Sequence, residues 1–345
     1  MTRRGWTEQE RQDAVTLDWE AFTGKYPDRS LEAYLRQRRR VRAAEGSQPV
    51  APAKTVTSPM PDPNEDEWEE LFASLERADR ARKYLSPTEE TTHITLPGPV
   101  AIAFMSDVHI GAGGVDYARF RADLDLIRQT DGLYFLINGD LLENAKPQMK
   151  SGNALYHSLF SSPREQVAYA RSRLTPVRDK LLVLTQGNHD ARDGMMAGID
   201  RLPDLAKDLQ SPYFTEKGGT IYLNVDGQDY VIVVKHQYGG QSKITKSNSA
   251  RRLWTEWPNS WESADVVALA HLHEPDLYLT QQRGQDVVWL RGGTYKVHDE
   301  WAESKGYKPT YGVPTVVFMP GERKMVPFAN MEDAVAYMEA IRQAA

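Results

Sequence analysis

The sequence predicts an α/β fold for residues 92–345, preceded by a small helical module. Short apolar segments, typical of buried strands, alternate in this region with amphipathic segments of helical period. Residue types that bind metal ions recur directly after several of these apolar segments. The chain contains no cysteine, which excludes disulfides and thiolate metal sites, so a metal ion would need histidine, carboxylate or amide ligands.

The individual elements are predicted from hydrophobic period and turn residues. Strands are predicted at residues 100–105, 133–137, 181–185, 221–225, 230–235, 265–270, 287–290 and 313–319. Helices are predicted at residues 116–130, 164–179, 246–257 and 331–342. The pair Asp226-Gly227 between two of the strands is typical of a hairpin turn.

Residues 1–44 are expected to form the helical module. Thr7 and Glu10 have the spacing of a capping box and predict a helix that continues past Phe22, while Ser30 caps a second helix. Residues 45–64 are rich in Pro, Ser, Thr and Ala, which predicts a flexible linker. An acidic beginning and a basic end favour a connecting helix within residues 65–91.

The second helix of the module carries a basic cluster, made of Arg36, Arg38, Arg39, Arg40 and Arg42. Residues 1–44 hold ten Lys and Arg against seven Asp and Glu, whereas the whole chain has a net charge of −6. The cluster resembles that of a small helix-turn-helix or Myb-like DNA-binding module. A solvated helix or an arm that docks on a protein partner explains it equally well.

The sequence also bears on the compartment. No apolar stretch follows the basic N-terminal residues, and no run approaches the roughly 20 residues that span a bilayer. We therefore expect a cytoplasmic protein without membrane contact. The sequence leaves open whether it has a protein partner or forms a homo-oligomer.

Polar residues follow five predicted strands at their carboxyl ends. They are Asp107 and His109; Asp140; Asn188, His189 and Asp190; His236; and His271 and His273. Because ligand sites of open α/β sheets lie beyond the carboxyl ends of strands, we expect one shared site. The Asp107/His109 and His271/His273 pairs are two residues apart, so each pair points one way in extended backbone. Gly139 and Gly187 allow sharp turns beside them.

In this order, the motifs D-x-H, G-D, G-N-H-D, H and H-x-H resemble the calcineurin-like metallophosphoesterase superfamily over about residues 98–320. The resemblance implies a two-sheet sandwich flanked by helices, in α-β-β-α layers. Within the superfamily the chain looks most similar to SbcD-like DNA-repair nucleases and to prokaryotic and phage-type repair phosphoesterases. Ala270 departs from the pattern, which usually has Gly before H-x-H, and we expect this to affect packing rather than metal binding.

The resemblance also implies the roles of the site residues. Two divalent cations are expected, with Mn²⁺ favoured and Fe, Zn and Mg as alternatives. The first would be held by Asp107, His109 and His273, the second by Asn188, His236 and His271, with Asp140 bridging both. His189 would donate to the phosphate or to the leaving oxygen, and Asp190 would orient His189.

Further residues near the motifs are candidates for contacts with substrate phosphates. They are Arg192, Lys235, Arg291, Lys296 and His298. For any one of them, ordinary surface charge is the simpler explanation.

These residues together favour a metal-dependent phosphodiesterase that hydrolyses nucleic acid, preferably DNA, as a nuclease of the repair or processing type. One alternative is a phosphatase or phosphodiesterase on nucleotides, cyclic nucleotides or phosphoproteins. Another is a non-catalytic DNA-binding or scaffold protein that retains the phosphoesterase fold.

Overall fold

The computed structural model describes residues 6–45, 64–85, 90–144, 162–192, 194, 198–240, 246–256, 264–282, 284–298, 303–304, 306 and 308–344. The chain divides into two compact units, Met1–Arg80 and Ala81–Ala345. The predicted linker, residues 45–64, lies almost wholly outside the described residues. Among the described helices, none is long and apolar enough to cross a membrane.

The N-terminal part of the chain is helical, as predicted. Its described helices are α1 (Glu8–Thr16), α2 (Trp19–Lys25), α3 (Leu31–Glu45) and α4 (Glu65–Leu85). The capping box of Thr7 and Glu10 is confirmed. The single helix predicted to run past Phe22 is wrong, because α1 ends before Leu17 and Asp18 caps a new helix by accepting the Ala21 N–H.

A small aromatic core holds α1, α2 and α3 together. Phe22 and Tyr34 are buried in it, and Trp6 and Trp19 pack against them. Asp13 is also buried, and its carboxylate accepts a hydrogen bond from the hydroxyl of Tyr26 at 2.7 Å.

The basic cluster lies on α3. Arg36 forms an exposed ion pair with Glu32, with 2.6 Å between the charged atoms. Arg38 donates to the hydroxyl of Tyr34. The side chains of the other three members, Arg39, Arg40 and Arg42, lie outside the described residues.

The C-terminal unit contains two six-stranded sheets. In chain order the described strands are β1 (Glu90–Leu96), β2 (Val100–Met105), β3 (Leu133–Asn138), β4 (Leu181–Thr185), β5 (Tyr213–Phe214), β6 (Gly219–Val225), β7 (Gln228–Val234), β8 (Val266–Leu269), β9 (Asp276–Gln282), β10 (Gln285–Arg291), β11 (Thr315–Phe318) and β12 (Met325–Phe328). One sheet has the order β12-β11-β2-β3-β4-β5 and the other β1-β6-β7-β8-β10-β9. The strands β2 to β5 run parallel, as do β7, β8 and β10.

Helices cover the outer faces of both sheets. They are α5 (Tyr117–Gln129), α6 (Pro163–Leu174), α7 (Leu202–Asp208), α8 (Asn248–Glu256) and α9 (Met331–Ala344), with a 3₁₀ helix at Thr175–Lys180 after α6. One apolar cluster lies between the sheets, and another lies between the first sheet and α5, α6 and α9. The second sheet packs on α8. The α-β-β-α layers predicted from the resemblance are therefore confirmed.

The strands missed by sequence reasoning are mostly edge strands. β1 alternates between partly buried and exposed residues, and β9 is largely polar. Neither strand therefore has a clear apolar period. The expected connecting helix at residues 65–91 ends at Leu85, and Glu90 and Thr91 already pair with β6. The helix predicted at residues 164–179 changes to a 3₁₀ helix at Thr175, beside Pro176, since proline interrupts the α-helical hydrogen bonds.

Candidate active site

The five strand ends selected from the sequence meet at one edge of the sandwich. β2, β3 and β4 are parallel neighbours in one sheet, and β7 and β8 are parallel neighbours in the other. The carboxyl ends of these five strands lie at the same edge of the sandwich. Backbone hydrogen bonds then join the turns, since Asp107 N donates to Gly139 O and His109 N donates to Asp140 O.

A first cluster contains the three side chains predicted for the first cation. Asp107, His109 and His273 present ligand atoms within 4.8 Å of one another, and all three are buried. The Nε2 atoms of His109 and His273 lie 3.0 Å apart. Oδ1 of Asp107 lies 3.3 Å from Nε2 of His273. Three ligand atoms that lie this close together match the arrangement that a bound cation requires.

A second cluster contains Asp140, His236 and His271, again with ligand atoms within 4.8 Å. Nε2 of His236 lies 3.1 Å from Oδ2 of Asp140. The same Asp140 oxygen lies 3.9 Å from Nε2 of His109 in the first cluster. The Asp140 carboxylate thus stands between the two groups, as a bridging ligand must.

Several buried polar atoms at this place lack a hydrogen-bond partner among the described residues. They include Oδ1 of Asp107, Oδ1 of Asn188 and Nε2 of His236. Burying an unpaired polar atom is costly, and metal coordination removes that cost. The seven predicted ligands combine carboxylate, imidazole and amide donors, which suit Mn²⁺, Fe, Zn or Mg. The residues present therefore fit a pair of divalent cations.

The backbone of the cluster residues is unusual. Asp107, His109, Asp140, His271 and His273 all have left-handed φ angles, between 50° and 75°. This region is disfavoured for residues with a Cβ, and such residues concentrate at functional sites. The extended pairs expected from the sequence are thus replaced by tight turns, which still bring both members of each pair to the site.

The two glycines noted in the sequence make room for the site. Gly139 has φ 80°, and a Cβ there would collide with the ring of His236. A Cβ at Gly187 would collide with the carboxylate and backbone of Asp140. Only glycine permits this close approach at either position, and the positive φ of Gly139 agrees with the sharp turn predicted there.

A hydrogen bond determines which ring nitrogen of His236 is available to a cation. Nδ1 of His236 donates to Asn138 O at 2.7 Å, so Nε2, which faces Asp140, is the ring nitrogen that could bind a cation. Burial lowers the pKa of His271 to about 4 and, with the neighbouring His189, lowers that of His109 to about 4. Both rings are therefore neutral, the form that binds metal ions.

Beside the clusters lies His189, the predicted catalytic residue. Its backbone N–H donates to Oδ1 of Asp140 at 2.7 Å, and Nδ1 lies 2.9 Å from the carbonyl oxygen of Glu143. Burial lowers the pKa of His189, but the carboxylates of Asp140 and Glu143 outweigh this and raise it above its usual value. A terminal nitrogen of Arg192 lies 2.9 Å from Nε2 of His189, so the structure brings Arg192 to the site as well.

Glu143 is a site residue that sequence reasoning missed. Its carboxylate is buried, and Oε2 lies 2.8 Å from Nδ1 of His109, 3.5 Å from Nδ1 of His189 and 3.6 Å from Nζ of Lys296. A signal was present, because an acidic residue follows Asp140 by three positions after the apolar pair Leu141-Leu142. Because Nζ of Lys296 lies close to the Glu143 carboxylate, this predicted substrate contact also lies at the site.

Asp190 has a different environment from the predicted one. Its carboxylate accepts the backbone N–H groups of Leu142 and Gly187, each at 2.9 Å. It thereby ties the turn after β3 to the turn after β4. Burial and the nearby Asp140 raise the pKa of Asp190 to about 7. The carboxylate beside the His189 ring belongs to Glu143, and the orientation of His189 by Asp190 stays a prediction.

Three other predicted substrate contacts have different partners. Nζ of Lys235 donates to the carbonyls of Glu216 and Lys217, on the turn before β6. Arg291 is buried and donates to Glu274 O at 2.7 Å. His298 packs by its backbone against Gly114, to whose carbonyl its N–H donates at 3.3 Å. Lys235 and Arg291 therefore stabilise turns, and their contact with substrate stays a prediction.

Comparison with known proteins agrees with this geometry. The family model for calcineurin-like phosphoesterases matches residues 100–316, which is more than half of the chain. The chain belongs to the calcineurin-like phosphoesterase family. Among solved structures it is similar to Vps29 from Chaetomium thermophilum, at 9% identity and a TM-score of 0.33, over 67% of this chain and 99% of that chain. No curated protein matches the chain.

As a member of this family the protein is a metal-dependent phosphoesterase. When bound, a pair of divalent cations supplies Lewis-acid stabilisation of phosphoryl charge and lowers the pKa of water. The two clusters would hold these cations through Asp107, His109 and His273 and through Asp140, His236 and His271. His189, Arg192 and Lys296 lie beside these clusters, and their roles in proton transfer and substrate binding stay predictions.

Proposed function

We propose that this phosphoesterase hydrolyses phosphodiester bonds in nucleic acid, with DNA as the preferred substrate and Mn²⁺ as the favoured metal. The observation that carries the proposal is the separate N-terminal unit, which folds around its own aromatic core and contains the arginine-rich helix α3. A polyanion gains affinity from it, because each neutralised phosphate releases condensed counterions.

The catalytic site supports the same substrate class. A diester has two oxygen substituents, one of which must leave as an alkoxide that needs a proton. His189 lies beside Asp140, and the carboxylates of Asp140 and Glu143 raise its pKa above the usual value, which supports a role in proton donation. The basic unit would raise the local concentration of DNA near this site through its covalent tether.

The experiment measures DNA binding and hydrolysis in parallel. The full chain and a variant with Ala at positions 36, 38, 39, 40 and 42 are compared for duplex and single-stranded DNA affinity across a salt series. The proposal expects the salt slope of log affinity to fall by about one for each DNA phosphate that the variant no longer neutralises. Hydrolysis of bis-p-nitrophenyl phosphate should stay unchanged, since the metal clusters lie in the other unit.

A matched control carries Ala at Arg77 and Arg80, two exposed arginines of α4. It should bind DNA as the unaltered chain does. If the full chain cleaves nucleotides, cyclic nucleotides or phosphopeptides but no nucleic acid in the presence of Mn²⁺, the small-substrate alternative replaces the proposal. If the five-arginine variant keeps the full salt slope, α3 has no role in DNA binding.

A further inference from the structure

The first metal cluster depends on a strained aspartate. Asp107 has φ 50°, in the left-handed region, and this conformation turns its carboxylate toward His109 and His273. A residue with a Cβ leaves this region readily unless its surroundings hold it there. The hydrogen bonds to the backbone of Asp107 therefore decide how well the cluster is formed.

The Asp107 N–H donates to Gly139 O, and the segment 292–296, directly after β10, binds the Asp107 carbonyl. Two donors converge on the carbonyl oxygen of Asp107, namely the Thr294 hydroxyl at 2.8 Å and the Tyr295 N–H at 3.1 Å. The Thr294 hydroxyl oxygen also accepts the N–H of Lys296 at 2.9 Å. Thr294 is buried, so water does not substitute for either bond.

The segment itself is anchored on several sides. Ser106 donates to Gly293 O at 2.9 Å, and Gly293 N donates to Gly312 O at 2.9 Å. A Cβ at Gly293 would collide with the backbone of Thr310 and Gly312, so the close approach requires glycine. A rigidly held hydroxyl can keep a strained neighbour in place, whereas a mobile one cannot.

The same region also supports a second ligand of the first cluster. Thr310 N donates to the carbonyl of His273 at 2.8 Å, and Thr294 N donates to Thr310 O at 3.1 Å. Thr294 thus stands between the backbones of Asp107 and His273. Among the described residues, Thr294 is linked to the second cluster through Asp107, whose Oδ2 accepts the N–H of His271 at 3.1 Å.

We propose that Thr294 is a positioning residue of the first metal cluster: its hydroxyl locks the carbonyl of Asp107 and so preserves the left-handed conformation that aims the Asp107 carboxylate at the cation. The inference rests on the metal centre of the proposed function and not on the identity of the substrate. Thr294 touches neither substrate nor cation, and it acts through Asp107. Groups of this kind, which orient a ligand from outside, typically change metal affinity by about 10- to 100-fold.

The test is Thr294→Val in the full chain, because valine keeps the shape of threonine and removes the hydroxyl. Titration of metal-free protein with Mn²⁺, followed by calorimetry and electron paramagnetic resonance, gives the affinity for each of two ions. The proposal expects one of the two affinities to fall about 10- to 100-fold, with a smaller change in the other. Thr294→Ser restores the hydroxyl and should restore the affinity.

A matched control separates positioning from general stability. Thr315 is also buried, and its hydroxyl bonds to Val313 O at 3.1 Å on β11. Thr315→Val should lower the melting temperature without changing either Mn²⁺ affinity. If Thr294→Val fails to fold, Thr294→Ala, which leaves space in place of a buried methyl group, is titrated instead and should show the same selective decrease.

Two results would overturn the inference, and they differ in what else they affect. If the unaltered chain binds two Mn²⁺ ions, and Thr294→Val and Thr294→Ala bind them with the same affinities, Thr294 has no positioning role. The metal centre itself is then still supported. If the unaltered chain binds no Mn²⁺, the metal centre fails together with the inference. Neither result depends on whether DNA is a substrate.

Discussion

Nδ1 of His109 lies 2.8 Å from Oε2 of Glu143, inside the protein and away from solvent. A carboxylate beside one ring nitrogen draws the proton to that side and leaves the other nitrogen as the lone-pair donor. In His109 the nitrogen left over is Nε2, which faces His273. Glu143 thus determines which face of His109 can serve the first cluster.

Glu143→Gln should weaken the metal centre. The amide oxygen accepts a hydrogen bond less strongly than the carboxylate, and the substitution removes the negative charge beside Lys296. We expect metal affinity or turnover to fall about 10- to 100-fold. Metal content after dialysis and the rate on bis-p-nitrophenyl phosphate measure this, with the exposed Glu165→Gln as control. Equal metal content and rate in both variants would show that Glu143 has no role.

His189→Gln should separate metal binding from proton transfer. We expect both cations to remain bound, while turnover on a DNA diester falls about 10²- to 10⁴-fold. The decrease should be smaller for bis-p-nitrophenyl phosphate, because p-nitrophenolate leaves without needing a proton. His93→Gln, on the exposed face of β1, serves as control. Equal decreases on the two substrates would argue against proton donation by His189.

Asp190→Asn should act on stability rather than on His189. The carboxylate accepts two buried backbone N–H groups, and an amide can accept only one of them with its single oxygen. We expect the free energy of unfolding to fall by about 1–3 kcal/mol, measured by urea denaturation. The exposed Asp179→Asn should change little. A large drop in turnover at unchanged stability would instead support the prediction that Asp190 orients His189.

Removal of the metal should lower both activity and stability. Without cations, the buried carboxylates of Asp107 and Asp140, which lie 4.0 Å and 3.1 Å from Nε2 of His236, have no compensating divalent charge. Chelation followed by dialysis should abolish hydrolysis, and Mn²⁺ should restore it. Ligand linkage predicts about 2.7 kcal/mol of added stability at 100 times the dissociation constant. Melting temperatures that do not change with Mn²⁺ concentration would contradict the metal centre.

The N-terminal unit should lose stability in acid through Asp13. Hydrogen bonds from Lys25, Tyr26 and Gln9 lower the pKa of Asp13 to about 2, below its ordinary value near 3.8. A depressed carboxyl pKa stabilises the folded state above the unfolded pKa, and this stability is lost as pH falls from about 4 toward 2. Asp13→Asn should flatten the dependence of the melting temperature in this window. The exposed Asp28→Asn should retain it.

The sequence was sufficient for the frame of the catalytic unit. Buried strands such as β2 and β4 were predicted with their observed bounds, because a strand covered on both faces is a continuous apolar run. Edge strands such as β9 were missed, since polar residues on an exposed edge carry no apolar period. The break between α1 and α2 was missed because the apolar spacing continues across it while Asp18 caps a new helix.

The sequence by itself determined the residue types of the metal site and the family, because ligand chemistry and strand-end position are both local properties of the chain. Only the tertiary structure decided which carboxylate lies beside which histidine. Glu143 and Asp190 lie near the same motifs in sequence, yet one faces His109 and the other faces the N–H groups of two turns. Directions of side chains depend on the left-handed turns at the strand ends, and those turns are held by distant residues such as Thr294. Contacts between residues that are far apart in sequence are fixed when the sheets pack, so no local pattern reveals them.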